Sequence, residues 1–121
     1  MVLGIGCDII ETQRLKKWLD NPSLLKRYFT RTEIAYTENI QVDIAMQRLA
    51  GMFATKEAFI KSIRKGIVLT DIVIEREDTG APRLRLERSA LKAFKQIGAI
   101  YSYVSISHEK NYAMAMVVIG C

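Results

Sequence analysis

The sequence contains few of the residues that build disulfide frameworks and zinc sites, and it has no long run of apolar residues. Its 121 residues include two cysteines, one histidine, two prolines and one tryptophan. Cys7 and Cys121 lie at opposite ends of the chain without the spacing of metal ligands, so we expect free thiols. The opening MVLGIGCDII has no basic lead and soon reaches Asp8, so neither a signal peptide nor a membrane span is expected. These absences favour a cytoplasmic protein.

The composition is that of one globular domain. Half of the residues are hydrophobic, and 121 residues can enclose one modest core, so a single domain over residues 1–121 is predicted. The formal net charge of +5 favours acidic partners, such as nucleic acid, a phosphorylated cofactor or an acidic protein. The sign of the charge does not choose among these partners.

The first third of the chain predicts one strand followed by short helices. Residues 2–10 are apolar and rich in β-branched side chains, which indicates a buried strand. Gly4 and Gly6 within it allow another backbone to approach closely. Three hydroxyl residues are predicted to cap the helices that follow, namely Thr12, Ser23 and Thr30.

A long helix is predicted from about Val42 to Lys65, because this segment has no proline and its apolar residues recur near the helical period. Gly66 is predicted to end the helix. The remaining predicted elements are a strand at 71–75, a turn at 78–80, a strand at 83–86, a helix at 89–97 and strands at 101–107 and 112–119. This order predicts an α+β fold with a largely antiparallel sheet wrapped around one long central helix.

One face of the predicted long helix combines small residues with an acid and a base. Helical spacing places Ala50, Ala54, Glu57 and Lys61 on this face. The small side chains leave room for Asp8, which ends the first strand. Two converging carboxylates suit Mg²⁺, which takes its other ligands from water and phosphate, and Lys61 would add a point charge beside the phosphate. The same spacing also fits an ordinary surface ion pair, so the residues alone leave both interpretations open.

Two other features also have both a structural and a functional interpretation. His108, the sole histidine, follows an alternating run and is either a hydrogen-bond partner or a functional group. No acid can be assigned to complete a serine–histidine triad. Basic and leucine residues are interleaved between Arg14 and Arg31, which suits either an ordinary surface helix or a docking site for an acidic amphipathic helix.

Five motifs, in this order and spacing, resemble the holo-acyl-carrier-protein synthases, the small 4′-phosphopantetheinyl transferases. The resemblance extends over nearly the whole chain. The motifs are GIGCDIIE at 4–11 followed by Arg14, TRTE at 30–33, RLAGMFATKEAFIK at 48–61, GAP at 80–82 and VSISH at 104–108.

The resemblance implies an enzyme that transfers 4′-phosphopantetheine from coenzyme A to a serine of acyl carrier protein for fatty acid biosynthesis, releasing adenosine 3′,5′-bisphosphate. It implies that Asp8 and Glu57 hold Mg²⁺ against the diphosphate and that Lys61 lies beside the phosphate under attack. Glu57 is also implied to help deprotonate the serine, directly or through a metal-bound water. Three further residues are implied to belong to the coenzyme A pocket, namely Gly80, Pro82 and His108.

The resemblance also implies partners. Arg14, Lys17 and Arg27 are expected to contact the acidic helix of acyl carrier protein. The family is typically homotrimeric, with each active site at a subunit interface. Met52 departs from the family pattern, because many relatives carry arginine there, so one cation expected near coenzyme A is missing or replaced. Cys7 stands where an aliphatic residue is usual, which packing tolerates.

Two other functions remain possible from the residues alone. One is a non-catalytic basic module that binds an acidic protein or RNA. The other is a metal-dependent nuclease that uses Asp8, Glu57 and Lys61. The resemblance favours the transferase. It predicts that the protein binds neither nucleic acid nor a membrane.

Overall fold

The fold is built on one long helix that lies against antiparallel strands, as a computed structural model of residues 1–121 shows. Its helices are α1 (Lys16–Leu19), α2 (Pro22–Tyr28), α3 (Arg31–Ala35), α4 (Val42–Ile63) and α5 (Arg88–Gln96). Its strands are β1 (Val2–Glu11), β2 (Ile72–Arg76), β3 (Pro82–Leu86), β4 (Tyr101–His108) and β5 (Tyr112–Gly120). Short 3-10 turns occupy Thr12–Leu15 and Leu69–Asp71. The predicted α+β class and long helix are confirmed.

The strands form two antiparallel sheets. A three-stranded sheet has the order β1-β5-β4, and β2 and β3 form a separate hairpin. Asp8 pairs with Ala115, which pairs in turn with Ile106. Because opposite residues in an antiparallel pair share a face, Asp8 lies in one row with two apolar side chains.

Helix α4 is buried on most of its circumference because it carries small and apolar residues on every side. Gly4 and Gly6 let β1 approach it closely, since a Cβ atom at either position would overlap a carbonyl oxygen of α4, that of Ser62 or that of Ala58. The predicted role of these two glycines is thus confirmed, and α4 is the backbone that approaches. None of the helices combines the length and the apolar composition that a membrane span requires.

Two predicted caps are wrong. The Thr12 hydroxyl does not cap a helix but donates to the backbone oxygen of Lys110, 2.7 Å away. Helix α2 is capped by Asn21 instead of Ser23, because the Asn21 side chain accepts from the backbone N–H of Leu24. Thr30 does form the predicted capping box with Glu33.

The predicted end of the long helix is also wrong. Helix α4 stops at Ile63, and Arg64 adopts the left-handed conformation at φ 63°. Gly66 therefore lies beyond the helix end and does not provide the left-handed residue. Helix α4 thus ends two residues before the predicted last residue, Lys65.

Candidate active site

The three residues singled out on β1 and α4 come together where these two elements meet. The Lys61 ammonium donates to Oδ1 of Asp8 and to the backbone oxygen of Cys7, each at 3.0 Å. The Asp8 side chain is 19% exposed and that of Lys61 is 54% exposed, so a ligand in solvent can reach them. The glycines of β1 bring Asp8 to the helix, because only a strand without side chains at these positions can lie so close to α4.

The electrostatics of Glu57 reflect a second carboxylate nearby. Partial burial raises the pKa of Glu57, the charge of Asp8 raises it further, and Lys61 opposes both effects. The hydrogen bond from Lys61 to Asp8, together with the charge of that carboxylate, raises the pKa of Lys61. Two acids thus share one lysine, which is an arrangement that favours an additional cation.

The donor set fits a divalent cation that relies on a substrate for part of its coordination. Nowhere does the chain gather three or more His, Cys, Asp or Glu side chains that could hold a metal ion. This chain therefore has no cluster of side chains of the kind that encloses a structural zinc ion. Asp8 and Glu57 supply carboxylate oxygens, and a pair of carboxylates with phosphate and water is the usual environment of protein-bound Mg²⁺.

His108 lies away from these carboxylates, beside a cavity of about 240 Å³. Arg48 and Arg76 line this cavity together with His108 and Tyr36. The two guanidinium carbons lie 4.1 and 5.1 Å from the centroid of the Tyr36 ring. Neither Asp8, Glu57 nor Lys61 borders the cavity, so His108 lies apart from these three residues in this chain.

The predicted GAP turn lies at the β2–β3 hairpin, next to this cavity. Gly80 has φ 88° in the turn, and Pro82 begins β3. The Arg76 guanidinium reaches the backbone oxygen of Gly80 at 3.5 Å. Met52 is 2% exposed and borders an adjoining cavity of about 280 Å³ that Arg76 and Arg85 also line.

Sequence reasoning missed Arg48 and Arg76 as candidate binding residues. They are far apart along the chain, and each resembles an ordinary surface arginine in its own segment. Only the fold places both guanidinium groups over one tyrosine.

The predicted partner-binding residues lie on the surface of the N-terminal helices. Arg14 and Lys17 are exposed and border one shallow depression, which is lined entirely by polar residues. Arg27 is also exposed, but it lies on α2 outside that depression.

Comparison with known proteins shows the family of the chain. Residues 4–117 match the family model described as 4′-phosphopantetheinyl transferase superfamily. The chain belongs to this superfamily. It is 42% identical to the holo-[acyl-carrier-protein] synthase of Treponema denticola and 38% identical to that of Trichlorobacter lovleyi, with 98% of each chain covered in both comparisons. The predicted family and enzyme class are confirmed.

Solved structures of the superfamily share the fold. A holo-(acyl-carrier-protein) synthase from Bacillus anthracis in complex with CoA (3′,5′-ADP) is 32% identical, with a TM-score of 0.81 over 98% of this chain and 96% of that chain. The holo-ACP-synthase of Plasmodium yoelii is 30% identical, with a TM-score of 0.85 over 98% and 94% of the two chains. A Helicobacter pylori enzyme in complex with coenzyme A is 28% identical, with a TM-score of 0.78 over 96% and 99%.

Proposed function

We propose that this chain transfers the 4′-phosphopantetheine group of coenzyme A to a serine hydroxyl of apo acyl carrier protein, with Mg²⁺, and releases adenosine 3′,5′-bisphosphate. The observation that carries this proposal is the meeting of Asp8, Glu57 and Lys61 at a partly exposed point between β1 and α4. The relatives named holo-[acyl-carrier-protein] synthase and the related structures in complex with coenzyme A support the substrates.

Asp8 and Glu57 are the proposed ligands of the metal ion. When bound there, Mg²⁺ would neutralise negative charge on the coenzyme A diphosphate. Partial burial and then the charge of Asp8 raise the pKa of Glu57, and this fits a site whose charge balance is completed by a cation.

The chain's own residues support the transfer chemistry. The serine oxygen attacks the phosphorus that carries the pantetheine arm, and the bond from that phosphorus to the bridging oxygen of the diphosphate breaks. Lys61 has an exposed ammonium beside Asp8, where it can stabilise charge that grows on the leaving group. Glu57 is also the proposed acceptor of the serine proton, because its carboxylate lies beside the point where Asp8 and Lys61 meet.

The cavity beside His108 is proposed to receive another part of coenzyme A, next to Gly80 and Pro82. Its two arginines offer positive charge, and no carboxylate borders it. Arg48 and Arg76 would supply the positive charge near coenzyme A that Met52, unlike an arginine at that position, does not provide.

We further propose that the active site is completed between subunits of a homotrimer. The outer face of the three-stranded sheet exposes Ile5, Ile9, Tyr103, Met114 and Met116. Exposed apolar patches of this kind mark association surfaces. Light scattering during gel filtration is expected to give three times the 13.8 kDa subunit mass, and Ile9→Lys is expected to lower it. A wild-type monomer would contradict the assembly.

Acyl carrier protein is proposed to dock on the basic surface that contains Arg14, Lys17 and Arg27, all of them exposed. Their charge suits an acidic partner. The proposed reaction belongs to fatty acid biosynthesis in the cytoplasm.

The direct test is mass spectrometry of apo acyl carrier protein after incubation with the purified protein, coenzyme A and Mg²⁺. The expected result is a carrier heavier by one phosphopantetheine, with no gain in EDTA or when the carrier serine is replaced by alanine. An unchanged carrier would overturn the proposal. A non-catalytic binding module would give that result, and a nuclease would instead show cleavage of added RNA or DNA.

A further inference from the structure

Two ionisable residues outside the proposed site, Glu33 on α3 and Lys56 on α4, form a completely buried ion pair. The Lys56 Nζ lies 2.8 Å from Oε1 of Glu33, and both side chains are 0% exposed. The remaining hydrogen bonds of the two groups go to the backbone: Lys56 donates to the oxygens of Leu69 and Ile72, and Glu33 accepts from the N–H groups of Thr30 and Ile74. The pair therefore connects α4 with α3, the 3-10 turn and β2.

Stability alone does not explain such a pair. Removing two charges from water is so unfavourable that well-packed apolar residues often serve a core equally well or better. Burial accordingly lowers the pKa of Lys56, even though Glu33 opposes this shift. Buried ion pairs have a better documented use in fixing register and orientation.

Helix α4 is an element whose orientation needs such a contact. Its buried residues, from Ala45 to Ile63, occur on all sides of the helix. A single apolar stripe normally sets the rotation of a helix about its axis, and a helix that is apolar all round lacks this signal. A lysine that must meet one carboxylate and two carbonyl oxygens permits only one rotation.

The rotation of α4 decides where the proposed catalytic groups point. Lys56 directly precedes Glu57, and successive helical residues are about 100° apart around the axis. With Lys56 held toward α3 and β2, Glu57 lies on the side of α4 that also carries Lys61, one turn further along. The Lys61 ammonium donates to Oδ1 of Asp8 on β1, so this side of α4 faces β1.

We propose that the Glu33–Lys56 pair is the positioning device of this active site, and the inference rests on the proposed function. The pair holds α4 at the rotation in which Glu57 and Lys61 face Asp8. Glu33 and Lys56 bond only to each other and to the backbone, so the pair acts through the orientation of α4. We therefore expect that loss of the pair weakens divalent-cation binding while the protein still folds.

The test compares two variants with a matched control. Glu33→Gln/Lys56→Met removes both charges together and keeps one side-chain oxygen, which can accept from the N–H of Thr30 or of Ile74 but not from both. Glu33→Asp keeps the charge but shortens the side chain, so that it cannot bond Lys56 and Ile74 together. Thr55→Val is the control, because Thr55 is equally buried in α4 and its hydroxyl bonds only within the helix, to Gly51.

Each variant is measured for folding by thermal unfolding, for Mn²⁺ affinity by electron paramagnetic resonance without coenzyme A or carrier, and for kcat and KM of transfer. Loss of positioning is expected to weaken Mn²⁺ binding by about 10-fold or more and to lower kcat by about 10-fold or more. The KM of both pair variants for the carrier should stay within about twofold of the wild-type value. The Thr55→Val control should keep its Mn²⁺ affinity, kcat and KM within the same limit.

Folded variants with wild-type Mn²⁺ affinity and kcat would overturn the positioning role. Failure of both variants to fold would also overturn it, because the pair would then serve stability alone. The wild-type measurements separate this inference from the proposed function. A wild-type protein that neither binds Mn²⁺ nor modifies the carrier would refute the function itself, whereas an active wild type with unaffected variants would refute only the positioning role.

Discussion

Two acid–lysine pairs in this chain show how environment separates a structural role from a chemical one. Glu33 and Lys56 are fully buried, and every buried side-chain polar atom has a hydrogen-bond partner. Such groups already have partners within the protein and are closed to solvent. Asp8 and Lys61 are partly exposed, and Glu57 beside them makes no hydrogen bond that would satisfy its carboxylate within the chain. The second set can therefore accept a cation and a diphosphate.

The raised pKa of Glu57 leads to a prediction about pH. Burial and the Asp8 charge favour its protonated form, and Lys61 only partly offsets them. Because a proton on Glu57 competes with a metal ion, we expect Mn²⁺ affinity to decline with falling pH already above the ordinary glutamate range. Paramagnetic resonance titrations across pH test this. Glu57→Gln should bind weakly at every pH and lack this step, and a wild-type affinity that stays flat down to the ordinary glutamate range would contradict the assignment.

Asp71 gives a prediction about stability. Burial opposes its charge, but hydrogen bonds from the Ser89 hydroxyl and N–H and from Arg88 outweigh burial and lower the pKa of Asp71. Asp71→Asn is expected to lower the free energy of unfolding by about 1–3 kcal/mol, as measured in urea. The exposed Asp78→Asn is the control.

The sign of the pH effect follows from the lowered pKa of Asp71. Its contribution to stability is complete above the unfolded-state pKa of an aspartate and is lost as pH falls through the lower folded-state value. The difference between wild type and Asp71→Asn should therefore shrink in acid. A difference that grew in acid would contradict this account.

At the scale of elements, the site depends on how closely β1 lies against α4. A side chain at Gly6 would overlap the carbonyl oxygen of Ala58, whereas a Cβ at Gly66 would meet nothing within 4 Å. Gly6→Ala is therefore expected to lower the free energy of unfolding by about 1–3 kcal/mol and to weaken Mn²⁺ binding. Gly66→Ala should change neither. Equal effects of the two substitutions in urea unfolding would contradict the close packing.

Patterns within single segments predicted much of this architecture. The apolar period and the absence of proline indicated the helix that the structure has at Val42–Ile63, and alternation indicated the strands after it. An apolar run indicated β1, but the expectation that this strand is buried was wrong, because Ile5 and Ile9 are exposed. Asp8, Glu57 and Lys61 could be expected together, because small residues on one helix face and glycines in the strand both indicate close approach. The site roles themselves came from the family resemblance.

Features that depend on contacts between distant segments could not be predicted. Lys56 precedes Glu57 in a polar pair that resembles exposed helix surface, and only packing against α3 and β2 buries it. The stacking of Arg48 and Arg76 on Tyr36 joins three separate segments. Helix α4 is followed at once by Arg64, a non-glycine residue in the left-handed conformation, before the chain reaches Gly66. The glycine in the sequence therefore did not mark the end of the helix.

At the scale of the whole molecule, the net charge of +5 bears on how the carrier docks. Arg14→Ala and Lys17→Ala are each expected to raise the KM for acyl carrier protein by up to about fivefold, because exposed ion pairs contribute at most about 1 kcal/mol. The kcat should change little, and added salt should reduce the difference from wild type. Lys92→Ala, an exposed lysine on α5, is the control. A fall in kcat without a change in KM would contradict docking at this surface.

We propose that phosphopantetheine transfer by this molecule requires both Asp8 and Glu57. The decisive experiment is the rate of phosphopantetheine addition to the carrier, followed by mass spectrometry, for Asp8→Asn and Glu57→Gln beside Asp43→Asn, a control at the exposed start of α4. We predict that both site variants remain folded and lose at least about 100-fold in rate, while the control keeps the wild-type rate. Near-wild-type rates in both site variants would contradict the account.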